Sequence, residues 1–129
     1  MHPAFSVIFF TVTSGAGYGL MALLCLFNFL YLGMIFDKNI FLIFSGISAV
    51  LFTMGLISST FHLANPKNAW RAFMRFRTSW LAREGLLAIL FYPTLFLYLL
   101  LIHLDFYKNY FFLMQIYSVF IFFFAILII

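Results

Sequence analysis

Four long apolar runs dominate this sequence of 129 residues. Each is at least about 20 residues long, the length that an α-helix needs to cross the ~30 Å hydrocarbon core of a bilayer. They cover residues 4–35, 40–61, 85–104 and 110–129. Unbroken apolar runs argue against a transmembrane β-barrel, whose strands alternate in polarity. The sequence therefore predicts an all-α, polytopic membrane protein, with one domain over residues 1–129 that forms a four-transmembrane-helix bundle.

The composition supports this class and excludes others. Hydrophobic residues make up 67% of the chain and charged residues 8%, whereas soluble domains are about 45–50% apolar and about 25% charged. So little polar surface cannot cover a soluble enzyme. A disordered tail is excluded for the same reason, and the single cysteine, Cys25, excludes a scaffold held by internal disulfides.

Small residues suggest how the first two helices pack. Small residues of the first span are the GxxxG pair Gly15 and Gly19 with Ser14, Ala16 and Gly17 beside them, and those of the second span are Gly46, Ala49, Gly55, Ser58 and Ser59. Small residues let helix backbones approach closely in lipid, so we expect these residues to form the contact between the two helices. The fourth span, rich in Phe, Ile and Leu, has the composition of a lipid-facing helix without packing grooves.

Most of the positive charge falls in the loop 62–84 between spans two and three. Three of its basic residues repeat every four positions, with tryptophans nearby, which is typical of a short interfacial helix with aromatic anchors. The residues predicted to dock a partner subunit are Lys67, Trp70, Arg71, Arg75 and Arg77. Charges that only set the topology explain the pattern equally well. The nearest phosphates are lipid headgroups, so we expect the lipid bilayer as a partner and no nucleic acid.

Two ionisable residues flank this loop. His62 closes the second predicted span, and Glu84, preceded by Arg83, opens the third. Because one loop joins the two spans, both residues fall at the same membrane face, where ionisable groups are often functional. Imidazole can accept a proton from a quinol oxygen near neutral pH, and a carboxylate can pass protons outward. The pair is compatible with a quinol site, but taken alone it is a weak signal, because His and Glu at a membrane interface are common as snorkelling or capping groups.

The sequence offers no obvious metal centre. A membrane cytochrome needs paired axial histidines at one depth, but His103 lies at the far end of span three, about a bilayer thickness (~30 Å) from His62. No cysteine or carboxylate cluster suits an iron–sulfur or zinc site. We therefore expect no haem or metal in this chain, and any metal redox centre to belong to a partner.

Several ordered motifs in residues 1–85 resemble one known family, the membrane anchor subunit of dimethyl sulfoxide reductase. The motifs are Met1–Thr11, Ser14–Gly17, Thr60–Pro66, Ala69–Phe73 and Ser79–Gly85. The chain corresponds to the N-terminal half of a typical family member. The resemblance implies a subunit that holds a molybdopterin catalytic subunit and an iron–sulfur subunit at the bacterial inner (cytoplasmic) membrane.

The resemblance also implies a role in anaerobic respiration. The chain would bind and oxidise menaquinol as a bound substrate and pass the electrons to the iron–sulfur subunit. The family's quinol-site histidine aligns with His62 in a His-Leu-x-x-Pro motif, and its quinol-site glutamate aligns with Glu84, next to Arg83. Reduction of the terminal substrate would belong to the catalytic subunit, so whether this chain counts as an enzyme stays open.

Two other functions and the membrane orientation also stay open. One alternative is a purely structural or truncated anchor without a working quinol site. Another is a small four-span transporter, although Asp37, Glu84 and Asp105 all fall at span ends rather than inside a span. The positive-inside rule places the loop 62–84 in the cytoplasm, whereas exported soluble subunits would place it in the periplasm.

Overall fold

The structure, a computed structural model, describes residues 3–30, 37–60, 80–105 and 110–129. The regular structure in these ranges is entirely α-helical. The helices are α1 (Pro3–Leu30), α2 (Lys38–Thr60), α3 (Trp80–His103) and α4 (Phe111–Ile128). Each is long and apolar enough to cross a membrane. The predicted fold class of four membrane-spanning helices is confirmed, and the predicted interfacial helix falls outside the described residues.

Helix α3 begins earlier than the apolar pattern suggests. Its apolar segment starts at Gly85, but the helix itself starts at Trp80. The intervening residues include Ala82 and Arg83, which favour helix, so the backbone continues its hydrogen bonding beyond the apolar segment. Trp80 to Glu84 therefore belong to α3 and not to the preceding loop. The helix also continues through Pro93.

Consecutive helices run antiparallel around the bundle. Gly17 of α1 lies against Phe52 of α2. Ser14, which is three residues earlier on α1, lies against Gly55, which is three residues later on α2. The contacts between α3 and α4 follow the same rule, since Tyr98 meets Tyr117 and Phe91 meets Phe124. Helix α1 packs most extensively on α2 and then on α4, and α3 packs on α4 and α2. The chain therefore forms an up-and-down bundle.

A cluster of aromatic rings joins all four helices in the middle of the bundle. Tyr18 of α1 stacks on Phe52 of α2, with ring centroids 4.8 Å apart. Phe91 of α3 meets both rings edge-on, at 5.3 and 5.6 Å, and Phe124 of α4 meets Phe91 at 5.6 Å. Edge-to-face and offset pairs are the favoured aromatic geometries. In lipid, where burial itself gives no hydrophobic drive between helices, such packing holds the bundle together.

The close contact between α1 and α2 does not use the GxxxG motif. A Cβ atom at Gly15 or Gly19 would meet nothing within 4 Å, and the same is true at Gly46. A Cβ at Gly17 would instead lie 2.6 Å from the backbone nitrogen of Phe52, and one at Gly55 would lie 2.8 Å from that of Ser14. The two helices therefore pack through small residues as expected, namely Ser14, Gly17 and Gly55, but not through Gly15, Gly19 or Gly46.

A hydrogen bond reinforces this contact between α1 and α2. The Ser48 hydroxyl of α2 donates to the Gly17 carbonyl oxygen of α1 over 2.8 Å, and Ser48 is fully buried. The side chain reaches the neighbouring backbone because Gly17 has no side chain to keep it away. Small residues at helix contacts and hydroxyls that bond across them are the usual means of association in membranes.

Helix α4 is packed on one side rather than surrounded by lipid. One stripe of its residues is buried against α1 and α3: Met114, Gln115, Ser118, Ile121, Ala125 and Ile128. The spacing of three and four residues is that of a helix-packing seam. Phe112, Phe123 and Leu127 point outward instead, with 64% to 75% of their surface exposed. The expectation of a helix without packing grooves is therefore wrong.

Candidate functional site

The helix termini that flank the predicted site residues in the chain lie at one end of the bundle, here called the site end. Because neighbouring helices are antiparallel, α1 begins there at Pro3, α2 ends there at Thr60 and α3 begins there at Trp80. The segment 61–79, which carries four of the seven Lys and Arg residues, connects α2 and α3 at this end. Its flanking helix termini therefore share one membrane face, as the sequence predicts from the order of the spans.

Two of the three predicted quinol-site residues lie in α3. Glu84 is the fifth residue of the helix, so at a rise of 1.5 Å per residue its backbone lies about 6 Å along the axis from Trp80. The side chain of Arg83 is exposed. His62 and the side chain of Glu84 lie outside the described part of the structure, and their proximity stays a prediction.

The predicted docking residues also fall outside the described ranges. They are Lys67, Trp70, Arg71, Arg75 and Arg77. Their position between the end of α2 at Thr60 and the start of α3 at Trp80 assigns them to the loop of the site end. Their role as a docking surface stays a prediction.

An apolar groove lies between α1 and α2 near the site end, and it was not expected from the sequence. Its volume is about 580 Å³, within the range of about 300–1,000 Å³ that is usual for small-molecule sites. The lining residues are Phe5, Ile8, Phe9 and Val12 of α1, and Met54, Ile57 and Ser58 of α2. Little in the sequence signals it, because its apolar residues resemble those that face lipid elsewhere in the chain.

The groove opens toward the membrane and not toward the bundle core. Phe5, Ile8 and Val12 are 59% to 68% exposed, and Ile57 is 54% exposed. A ligand in this groove would contact protein on one side and lipid on the other. The chemistry of the lining suits a hydrocarbon chain or an aromatic ring better than a polar molecule.

A buried polar layer lies in the other half of the bundle, and it too was not expected from the sequence. The Asn28 amide of α1 donates to the Tyr98 hydroxyl of α3 over 2.9 Å. The Gln115 amide of α4 donates to the Asn28 carbonyl oxygen over 3.4 Å. The signal was present, because an Asn and a Gln inside apolar spans seek partners on neighbouring helices. These hydrogen bonds link α1 to α3 and to α4 at the same level along the bundle axis.

An ion pair ties two helix ends together at the far face. The Lys38 ammonium group, at the start of α2, lies 2.8 Å from an Asp105 carboxylate oxygen. It also donates to the His103 carbonyl oxygen at the end of α3, over 2.7 Å. Asp105 has a φ of 57°, a left-handed conformation that Asp tolerates better than most residues. These groups hold the turn after α3 against the start of α2.

The described residues give no candidate metal centre. Within residues 3–30, 37–60, 80–105 and 110–129, no three His, Cys, Asp or Glu side chains come together. His103 is the last residue of α3, so it lies at the end opposite the site end. Cys25 is buried in the core.

Four antiparallel apolar helices with one basic loop define this chain as a multi-pass, all-helical membrane protein without a soluble domain of its own among the described residues. The sequence motifs Thr60–Pro66 and Ser79–Gly85, which flank the segment between α2 and α3, point to one family within that class. The chain belongs to the family of DMSO reductase anchor subunits (DmsC), which matches residues 1–129. The resemblance identified in the sequence is thereby confirmed over the whole chain.

A curated relative supports the same assignment. The chain is similar to a sulfite dehydrogenase subunit from Allochromatium vinosum, with 40% identity over 65% of this chain. The match covers 27% of that relative, so this chain spans only part of the length of the protein it matches. No solved structure matches this chain.

Proposed function

We propose that this chain is an electron-transfer membrane anchor that binds menaquinol near His62 and Glu84. Oxidation of the quinol releases electrons, which pass to an iron–sulfur subunit, and protons, which leave through the ionisable groups of the site. A molybdopterin catalytic subunit then reduces the terminal substrate in anaerobic respiration. Membership of the anchor-subunit family supports the role in a complex of this type, in the bacterial inner membrane.

The observation that carries the proposal is that the end of α2 and the start of α3 meet at the site end. The antiparallel order brings the end of α2 and the start of α3 to one end of the bundle; His62 follows the last residue of α2 by two positions in the chain, and Glu84 lies in α3. Quinols partition into the bilayer, whereas their electrons and protons must leave at its surface. A site at the helix termini meets both requirements.

Each residue has a distinct role in this proposal. His62 accepts a hydrogen bond and then a proton from a quinol hydroxyl, because imidazole titrates close to neutral pH. Glu84 receives protons and passes them to the aqueous face. Arg83, exposed one position before Glu84, contributes a positive charge that favours binding of a quinol oxygen.

Binding of a fluorescent quinol-site inhibitor tests the proposal directly. In membranes that carry this chain and its partner subunits, we expect saturable quenching of the inhibitor's fluorescence. Glu84→Gln should weaken this binding at least about tenfold, because a charge-assisted hydrogen bond becomes a neutral one. Saturable binding that Glu84→Gln leaves unchanged would remove Glu84 from the site. Absence of saturable binding in the wild type would favour a purely structural anchor.

The segment 61–79 carries the second part of the proposal, docking of the iron–sulfur subunit through Lys67, Trp70, Arg71, Arg75 and Arg77. In the sequence it joins two spans and contains four of the seven basic residues, so it supplies positive charge at the end where the proposed site releases its electrons. A cationic surface attracts an acidic patch on a soluble partner, and that attraction weakens as salt is added.

The double variant Arg71→Gln/Arg75→Gln should release the soluble subunits from washed membranes at lower salt than the wild type. Exposed charge pairs are worth up to about 1 kcal/mol each, so we expect partial release and not complete loss. Lys108→Gln, which removes a positive charge from the segment between α3 and α4, is the control and should leave retention unchanged. Equal retention of the soluble subunits by the double variant and the control would exclude a docking role for these arginines.

A further inference from the structure

We propose that residues 80–89 of α3 form an arm that pivots at the break which Pro93 makes in the helix, while the rest of α3 stays fixed in the bundle. The arm carries Arg83 and Glu84, so the motion moves both of them at the site end. The pivot is a property of the helix and does not depend on the proposed quinol chemistry. Its basis is a weak point in α3 with different packing on its two sides.

Pro93 weakens the backbone near the middle of α3. A proline has no N–H group to donate to the carbonyl oxygen four residues earlier, here that of Ile89, and its ring crowds that oxygen. The hydroxyl of the next residue, Thr94, lies 2.8 Å from the Phe91 carbonyl oxygen and 3.3 Å from that of Leu90. Bonds of this kind from a threonine to the preceding turn bend helices. The turn between Ile89 and Pro93 is therefore where α3 bends most easily.

The part of α3 after the weak point is tied to all three other helices. The Thr94 carbonyl oxygen accepts a hydrogen bond from the Tyr117 hydroxyl of α4 over 2.9 Å. The hydroxyl of Tyr98, which is fully buried, accepts one from the Asn28 amide of α1. The last carbonyl oxygen of α3 accepts one from Lys38, at the start of α2. These bonds hold this half of the helix in place.

The arm before the weak point has a smoother surface. Among its described residues, the buried side chains are Ala82 and Ala88, which are 5% and 2% exposed, and Leu87 is half-buried. Methyl groups of alanine allow packed helices to slide, as in shear motions. In contrast, Phe91 interlocks with rings of the other three helices. Helices α2 and α3 also pack on each other less than any other neighbouring pair in the bundle.

The pair of α1 and α2 is the fixed surface against which the arm moves. At Gly17 and Gly55 the two backbones are in direct contact, and the Ser48 hydroxyl joins them. The arm is about 15 Å long at 1.5 Å per residue. A bend of about 20°, the size of a typical sharp kink, moves its free end by about 5 Å. A displacement of this size changes the separation of the helix ends that flank the segment 61–79.

Distances between pairs of spin labels test the pivot, measured by pulsed electron paramagnetic resonance on the purified chain in lipid nanodiscs. The arm pair is Leu86→Cys with Val12→Cys of α1. The matched control pair in the other half of the bundle is Leu97→Cys with Leu23→Cys of α1. The four side chains are 38% to 63% exposed, and both pairs are 74 positions apart in the chain. Cys25 is fully buried and should not react with the label.

The distance distribution of the arm pair should be broader than that of the control pair by about 5 Å, the displacement expected for the bend. Pro93→Ala restores the N–H group and should narrow the arm pair to the width of the control pair. The control pair should keep its distance in Pro93→Ala, which also shows that the variant is folded.

Three results would overturn the proposal. Equal widths of the two pairs in the protein with Pro93 would mean that α3 is one rigid helix. A broad arm pair that Pro93→Ala leaves unchanged would mean that the motion does not arise at the proline. Broadening of both pairs by Pro93→Ala would mean that the proline is required for packing of the whole bundle and not for a pivot.

Discussion

His62→Ala should lower quinol-dependent electron transfer by at least about a hundredfold while the complex still assembles in the membrane. A positioned acid–base group commonly contributes a factor of about 10² to 10⁴ to the rate, and His62 is the proposed first acceptor of the quinol proton. The measurement is the rate of menaquinol oxidation in membranes that hold equal amounts of the assembled complex. Glu84→Gln should show a loss of similar size, because an amide cannot take up the proton.

His103→Ala is the matched control for this experiment. His103 is exposed and is the last residue of α3, at the end of the bundle opposite the site end. The contact that it makes with Lys38 uses its backbone carbonyl oxygen, which the substitution keeps. A reduced dye that feeds the soluble subunits directly should drive all variants at the wild-type rate. Normal menaquinol oxidation in His62→Ala would remove His62 from the proposed mechanism.

Gly17→Ala should destabilise the bundle by about 1–3 kcal/mol, the usual cost of forcing extra atoms into a packed contact. The added Cβ would lie 2.6 Å from the Phe52 backbone nitrogen and 2.9 Å from the Ser48 carbonyl oxygen. Both are backbone atoms, so relief requires α2 to move away from α1, and this also stretches the hydrogen bond from Ser48 to the Gly17 carbonyl. The measurement is unfolding of the purified chain in detergent micelles.

Gly15→Ala and Gly19→Ala provide the controls within the same helix. Neither added Cβ would have a neighbour within 4 Å, and alanine favours helix over glycine by up to about 1 kcal/mol. We expect these variants to be as stable as the wild type or slightly more stable. If they destabilised the bundle as strongly as Gly17→Ala, the helices would pack through the GxxxG motif and the contact through Gly17 would be incorrect.

Several features of the protein followed from the sequence because they depend on local chemistry. Helices must satisfy their own backbone hydrogen bonds in lipid, so four apolar runs of sufficient length could only become four spanning helices. The polar segment between spans two and three then had to lie outside the membrane, with its flanking helix termini at one face. The motifs around His62 and Glu84 likewise identified the family without any structure.

The faces that the helices present to one another could not be read in the same way. In a soluble bundle, polar residues mark the outside of a helix. Here nearly every position is apolar, so Ile121 and Phe123 of α4 look equivalent in the sequence, although the first is fully buried and the second is 64% exposed. The GxxxG motif misled for a related reason, because its spacing permits close packing but does not show which face meets a neighbour.

The sequence by itself determined the class of the protein and predicted the four membrane-spanning helices that the described residues form. It also indicated that the helix termini flanking the candidate site lie at one end of the bundle. Only the tertiary structure decided that Gly17 and Gly55 bring α1 and α2 together, that Asn28 meets Tyr98 across the core, and that a groove opens beside Val12. The physical reason is the solvent. A bilayer forces each apolar segment to become a helix, but it hardly distinguishes one apolar face from another, so steric fit and a few buried hydrogen bonds select the packing.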